Sequence, residues 1–256
     1  MYLSVIIPAY NEEKRLPKTL ELIDDYLRKQ SYDYEILVVN DGSKDGTAEA
    51  VRGMSSVGEE DKSSSSPFAA ARVIKNLKLI DNKINQGKGA VVRQGMLEAK
   101  GEYKLFTDTD NSTSIDQIEK MWSEFEKGFD IVIGSRDIKG AVLDPPQPFL
   151  RNIILGEGFK LYRKFIIGLW KIQDTQCGFK AFSKKAAENI FPKCKINRFA
   201  FDPEILVIAK KMRYKIKEIP VYWKNDPESK VKVKSIVKMA IDLLKIKWNL
   251  ITGKYE

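Results

Sequence analysis

The chain has 256 residues, with 44 Lys and Arg against 35 Asp and Glu for a formal charge of +9, 43% hydrophobic and 31% charged residues, and no histidine. This composition excludes wholesale disorder, and the missing imidazole excludes Ser-His-Asp and Cys-His nucleophile pairs, His-ligated zinc and any histidine base. Catalysis has to rest on carboxylates, cations, metal and backbone, and the positive surplus fits phosphate-bearing partners without choosing among nucleic acid, anionic lipid and sugar nucleotides.

Met1–Pro8 runs straight into an apolar strand without a basic leader, and no run of roughly 18 apolar residues follows, so neither a signal peptide nor a membrane span is expected. In chain order the pattern predicts a strand at Leu3–Ile7, a helix at Leu16–Gln30, a strand at Glu35–Val39, a helix at Lys44–Met54 and a strand at Val73–Ile80. A helix at Gly89–Ala99, a strand at Tyr103–Thr107, a helix at Ile118–Lys127 and a strand at Ile131–Ile133 continue the alternation. Such a βαβα order predicts an α/β fold with a mostly parallel sheet flanked by helices, as one generous domain or two small ones. The serine-rich, charge-bearing stretch 53–70 reads as a mobile surface insertion.

Beyond a Pro-rich turn at 144–148, Phe149–Trp170 reads as one or two helices, followed by a strand at Phe179–Ser183, helices at Lys184–Ile190 and Pro203–Lys211, and a strand at Lys215–Val221. The closing segment, about Val231–Leu250, reads as an amphipathic helix. Its apolar positions 233, 236, 237, 240, 241, 244, 248 and 251 follow helical spacing, with Lys238, Asp242, Lys245 and Asn249 opposite. This helix packs on the domain with a solvated basic face, lies against anionic lipid, or does both. Cys177 and Cys194 are expected as reduced, buried thiols, as in a cytoplasmic protein.

In doubly wound sheets, ligands bind beyond the C-terminal strand ends. Here these ends carry Pro8-Ala9-Tyr10-Asn11-Glu12, Asn40-Asp41-Gly42-Ser43, Asn85-Gln86-Gly87-Lys88-Gly89 and Thr107-Asp108-Thr109-Asp110. Asp108 and Asp110, at i and i+2 of an extended segment, are placed to share one hard cation such as Mg²⁺ or Mn²⁺; alternatively they belong to a helix-capping loop. Gly87-Lys88-Gly89 lacks the spacing of a P-loop, and no dinucleotide fingerprint occurs. The glycines still permit close backbone approach, and a lysine there can meet a pyrophosphate.

These motifs, with Gly134-Ser135-Arg136, Asp174-Thr175-Gln176-Cys177-Gly178-Phe179-Lys180 and Arg198-Phe199-Ala200-Phe201-Asp202, resemble the inverting family 2 glycosyltransferases of GT-A fold, in particular the dolichyl-phosphate β-glucosyltransferase branch. The resemblance implies a GT-A catalytic unit over 1–225, acceptor- or membrane-facing helices over 149–172 and a C-terminal amphipathic helix over 226–256. It implies transfer of a hexose, glucose from UDP-glucose first, to a polyprenyl phosphate with inversion, by an enzyme peripheral to the cytoplasmic face of a membrane. The alternatives are a GDP-mannose donor, a soluble saccharide acceptor or, from another class, a basic nucleic-acid-binding protein.

On that resemblance Pro8, Tyr10, Glu12, Asp41, Lys88 and Asp108 line the nucleotide-sugar pocket, with Asp41 toward base or ribose, and Asp108 and Asp110 hold Mg²⁺ or Mn²⁺. Arg136 and Arg151 clamp the acceptor phosphate, and Asp174 acts as base or sugar-orienting group, or merely caps a turn. Asp202 and Glu204 bind sugar hydroxyls, or Asp202 only caps the helix at Pro203. A lipid monophosphate, with a second pKa of about 6, arrives already ionised, so a chain without histidine suits such an acceptor.

Overall fold

The computed structural model describes residues 1–55, 72–145, 158–225 and 233–256. The chain runs β1 (Leu3–Ala9), α1 (Leu16–Leu27), β2 (Tyr34–Asp41), α2 (Thr47–Met54), β3 (Leu77–Asn82), α3 (Lys88–Glu98), β4 (Tyr103–Thr107), α4 (Glu119–Glu126) and β5 (Ile131–Ser135). It continues with β6 (Val142–Asp144), α5 (Gly158–Ile167), β7 (Phe179–Ser183), α6 (Lys184–Ile190), α7 (Phe201–Lys211), β8 (Ile216–Pro220), β9 (Tyr222–Lys224) and α8 (Val233–Ile251). Arg151 and most of the serine-rich stretch lie outside the described residues, as does the first part of 149–172.

Among the described residues, seven strands form one sheet in the order β3-β2-β1-β4-β7-β5-β8. Every residue of β1 is buried, as a strand covered on both faces must be. Leu3, Val5 and Ile7 meet Leu20 and Ile23 of α1 and Met121 of α4 in one layer, while Ile6 and Phe106 join Val92 of α3, Ile190 of α6 and Ile205 of α7 in the other. The α/β fold with a mostly parallel, helix-flanked sheet is as expected.

One strand departs from the parallel set: β7 runs against both β4 and β5, with Thr107 opposite Phe179. A reversed strand begins where its parallel neighbours end. Residues 174–178 therefore reach the same sheet edge as 108–110, which is what brings two motifs far apart in sequence together.

Several boundaries differ from expectation for local reasons. Instead of starting at Lys44, α2 starts at Thr47, because Asp45 Oδ1 accepts the Thr47 N–H (3.1 Å) and Glu13 Oε2 accepts the Gly46 N–H (2.7 Å), holding 44–46 as a turn. α7 starts at Phe201, before Pro203, so Asp202 lies inside the first turn and does not cap it. The short parallel pair of β6 and β9 was not apparent from pattern.

The terminal helix is turned relative to the sequence reading. Met239, Leu243, Ile246 and Asn249 face the domain, while Val237, Ile241, Leu244, Trp248 and Ile251 remain exposed. Asn249 is inside because it has partners there: its Nδ2 donates to the Tyr255 hydroxyl (3.3 Å), which donates to Glu204 Oε1 (2.7 Å). No helix among the described residues is long and apolar enough to cross a membrane. Cys177 and Cys194 are free and buried, as expected.

Candidate active site

The first two strand-end loops are stitched together. The Asn11 N–H donates to Ser43 Oγ (2.9 Å), the Lys44 N–H to Asn11 Oδ1 (2.9 Å), and the Glu12 N–H to Thr47 Oγ1 (2.8 Å). Pro8 sits within β1 opposite Val39, and Tyr10, 41% exposed, stands just beyond the strand. The two carboxylate oxygens of Glu12 receive the Arg15 Nε and Nη2 donors (2.8 Å each), which ties it to the start of α1.

Asp41 ends β2 and accepts the backbone N–H groups of Gln86 (2.6 Å) and Gly87 (2.9 Å). Burial raises its pKa against the pull of these donors. Its place in the structure is thus as the holder of the loop that carries Lys88. The glycines on either side of Lys88 are also taken up internally. Gly87 has φ +104°, and a β-carbon there would strike the Asn197 carbonyl; at Gly89 it would lie 2.6 Å from the Ile196 carbonyl. The close backbone approach expected for a phosphate is made instead by the 196–198 segment.

At the end of β4 lies a half-buried charge cluster. The Lys88 ammonium stands 2.6 Å from Asp108 Oδ1, an ion pair without hydrogen-bond alignment. Burial disfavours the Lys88 charge, but the Asp108 and Asp202 carboxylates outweigh it and its pKa is raised. Asp110 accepts the Ser112 N–H (2.9 Å), yet its pKa is raised, first by burial and then by repulsion from Asp108. Behind these, the fully buried Lys180 of β7 pairs with Asp202 of α7 and lies 5.1 Å from the centroid of the Phe106 ring. Asp202 is raised too, by burial that Lys180 and Lys88 only partly offset. The cluster thus sets the Lys88 and Lys180 ammonium groups against the Asp108, Asp110 and Asp202 carboxylates, a formal surplus of one negative charge. Gly178 closes it: a β-carbon there would overlap the Asp108 carboxylate.

The second constellation is saturated. Arg136 donates to Asp174 through Nε (2.7 Å to Oδ2), Nη2 (3.0 Å to Oδ1) and its backbone N–H (3.1 Å), while Gln176 N and Cys177 N add donors at 2.9 and 3.2 Å. Burial opposes the Asp174 charge, but Arg136 outweighs it and holds the carboxyl well below the usual range; Arg136 is raised in turn. Arg136 also stacks over Trp223 at 4.7 Å. A carboxylate so stabilised is a weak proton acceptor, so the geometry favours the orienting and turn-capping readings of Asp174 over the base. The Nε–Nη2 edge of Arg136 is taken up by Asp174, while its side chain stays 21% exposed.

Glu204 is a correction. Fully buried, it accepts from Lys195 N (2.9 Å), Ile196 N (2.9 Å) and Tyr255 OH (2.7 Å), with its pKa raised by burial, so it ties the 195–196 loop to the C-terminus rather than meeting a sugar.

The family model described as glycosyl transferase family 2 matches residues 4–191. This chain belongs to glycosyl transferase family 2. It is 39% identical to a dolichyl-phosphate beta-glucosyltransferase of Trichomonas vaginalis over 96% of this chain and 73% of that one. It is 37% identical to the Dictyostelium discoideum protein of the same name, over 100% and 77%, and 34% identical to that of Homo sapiens, over 99% and 77%. Among solved structures it resembles mannosyl-3-phosphoglycerate synthase from Rubrobacter xylanophilus (TM-score 0.67, 14% identity, 99% of this chain and 75% of that one). It also resembles Mycobacterium tuberculosis glucosyl-3-phosphoglycerate synthase in complex with Mn²⁺ and UDP-glucose (TM-score 0.60, 15% identity, 96% and 77%). At such identities these two show the fold.

For a family 2 glycosyltransferase the question is whether Asp108 and Asp110 suit a divalent cation. They do on charge: both are hard oxygen donors, and Asp110 is held up by burial and by its neighbour's repulsion, which a cation would relieve. No group of three His, Cys, Asp or Glu side chains fit to hold a metal occurs among the described residues.

Gly178, Lys180 and Arg198 stand inside the sequence motifs, and the structure adds their contacts. Arg198 donates to Asn85 Oδ1 (2.8 Å) and packs its side chain on Gly87. A lysine between Phe179 and Ala181 in a strand covered on both faces was the available signal for Lys180, since a cation there needs a buried partner.

Proposed function

We propose that this family 2 enzyme transfers glucose from UDP-glucose to a polyprenyl phosphate with inversion, giving a β-linked lipid phosphosugar. The observation that carries this reading is identity of 34–39% across nearly the whole chain to the dolichyl-phosphate beta-glucosyltransferases quoted above. The charge arrangement supports it. An acceptor that arrives as a phosphate anion needs no strong base, and neither histidine nor a free Asp174 is there to supply one.

In this reading Pro8 and Tyr10 line the nucleotide side and Asp41 acts through the loop it holds. Asp108 and Asp110 hold Mg²⁺ or Mn²⁺, which when bound withdraws charge from the diphosphate leaving group. Lys88 offsets negative charge on the same diphosphate, and Lys180 keeps Asp202 in place beneath it. The Arg136–Asp174 unit positions the loop facing the anomeric carbon, and Arg151 remains the candidate for the acceptor phosphate. The test is incubation of the purified protein with radiolabelled UDP-glucose, Mn²⁺ and a polyprenyl phosphate. Organic-extractable, mild-acid-labile label is expected; label from GDP-mannose alone would overturn the donor, and none from any sugar nucleotide would overturn the reading.

A further inference from the structure

α8 presents two apolar faces, and the domain covers one of them. The uncovered residues Val237, Ile241, Leu244, Trp248 and Ile251 are each at least half exposed and follow one another by three or four positions, so they form a single stripe. At about 100° per residue, Lys238 and Lys245 lie about 80–100° to one side of that stripe and Lys247 about 80° to the other. Cations thus border the stripe on both sides, and the domain-facing residues lie behind it.

The adjoining α5 also leaves apolar residues uncovered. Its Tyr162 hydroxyl donates to the Ala240 carbonyl of α8 (3.3 Å). Leu161 and Phe165 are exposed, and Phe165 packs edge-on against the exposed Trp170 at 5.0 Å. On its other side α5 is fastened to the reaction loops. Lys160 pairs with Asp137 (2.8 Å), and Arg163 Nη2 donates to the carbonyls of Ile172 and Gln173 (3.1 and 3.2 Å), next to Asp174.

We propose that α8 and α5 form a docking surface for an anionic bilayer, with the α8 stripe entering the headgroup region and Trp248 and Trp170 at the interface. A second copy of the chain is the competing occupant for such a stripe. Pairing two copies through it would bring lysine flank against lysine flank whether the helices ran parallel or antiparallel, whereas an anionic surface complements both flanks. The assignment rests on the reading of the acceptor as a lipid phosphate, which the reaction must meet at a membrane. It adds the face that meets it, and the tie from α5 to residues 172–174 puts that face next to the Arg136–Asp174 loop.

The experiment compares the wild-type protein with Ile241→Glu/Trp248→Glu and with Lys238→Ala/Lys245→Ala. Co-sedimentation is measured with phosphatidylcholine vesicles lacking or containing phosphatidylglycerol, at low and high salt. Wild type should pellet with the anionic vesicles and lose binding with salt, the glutamate pair should weaken partition at least about ten-fold, and the alanine pair should weaken it only on anionic vesicles. Because all four positions are exposed, melting temperature and transfer to a short-chain, water-soluble isoprenyl phosphate should not change. Wild type that ignores anionic vesicles, or a glutamate pair that binds them as well as wild type, overturns the proposal. So does a wild-type dimer that the glutamate pair converts to monomer with vesicle binding intact. Absence of transfer to the short-chain acceptor with vesicle binding as expected would instead overturn the assigned reaction, so the two failures are separable.

Discussion

Two partly buried charge constellations lie at the end of β4 and ahead of β7, and they differ in kind. Around Asp174 every strong acceptor has a strong donor: Arg136 supplies the fork, three backbone N–H groups complete it, and the acid and base each stabilise the other's charge. Around Asp108 the carboxylates outnumber the ammonium groups, and Asp110 and Asp202 are lifted above the ordinary range. A saturated cluster stabilises a fold. A cluster with unmatched buried charge is costly until something of opposite sign arrives, and it is the kind of place where a ligand is recognised.

The comparison breaks first at Asp108 and Asp110. Replacing either by Asn should lower transfer by about a thousand-fold or more, because the charge that would hold the cation is removed. Asp110→Asn should not harm folding, and Asp108→Asn, which takes the counter-charge from a partly exposed Lys88, should cost about 1 kcal/mol. The stabilisation expected of Mn²⁺ with UDP in the wild type, about 2.7 kcal/mol at a hundred-fold excess over Kd and read as a rise in melting temperature, should vanish. A metal-induced shift that survives in both variants would place the cation elsewhere.

Gly178→Ala should come next, with about a hundred-fold loss of transfer and about 1–3 kcal/mol of stability, since its methyl group collides with the Asp108 carboxylate. Gly158→Ala, where a β-carbon meets nothing within 4 Å, serves as the harmless control.

Asp174→Asn reads the other constellation. It leaves a partly buried guanidinium short of its counter-charge, and since breaking a fully buried pair costs about 3–5 kcal/mol, a loss of about 2–3 kcal/mol is expected here. Melting temperature should fall, and adding Arg136→Gln should restore part of it. Because the folded pKa of Asp174 is the lower one, its contribution is complete above the ordinary value of 3.8 and is lost only as pH falls below that toward the folded value. The Asp174→Asn penalty should accordingly be constant from about pH 5 upward. An unchanged melting temperature with abolished turnover would restore the general-base role.

The residues of both constellations were legible as motifs, but their meeting was not. The five-residue strand Phe179–Ser183 shows the same pattern in either direction, so nothing local told that β7 runs antiparallel, and that reversal alone sets Gly178 on Asp108. The terminal helix failed for a related reason. With apolar residues on two sides, periodicity cannot say which side is inward; Asn249 decides it, through Tyr255 and an acid from α7. Glu204 itself was misread because an acid next to a site motif and an acid that holds a loop look alike until its donors are known.

Glu204 and Tyr255 yield the smallest effects and extend the comparison outward. Glu204 holds the backbone of Lys195 and Ile196, and the next residues press on Gly87 and Gly89, between which Lys88 is presented to Asp108. Loosening this support should therefore affect donor binding more than turnover. Glu204→Gln should raise KM for UDP-glucose several-fold with kcat little changed. Tyr255→Phe, which removes one hydrogen bond, should cost about 1 kcal/mol and raise KM less. Burial places the folded pKa of Glu204 above its ordinary 4.5, so its stabilising contribution is full below 4.5 and declines as pH rises through the folded value. Glu204→Gln does not titrate, so its stability deficit relative to wild type should be largest at acid pH and shrink as pH rises. A deficit that grows with pH would mean that the charged carboxylate is the form the fold prefers, placing Glu204 with Asp174 among the saturated groups.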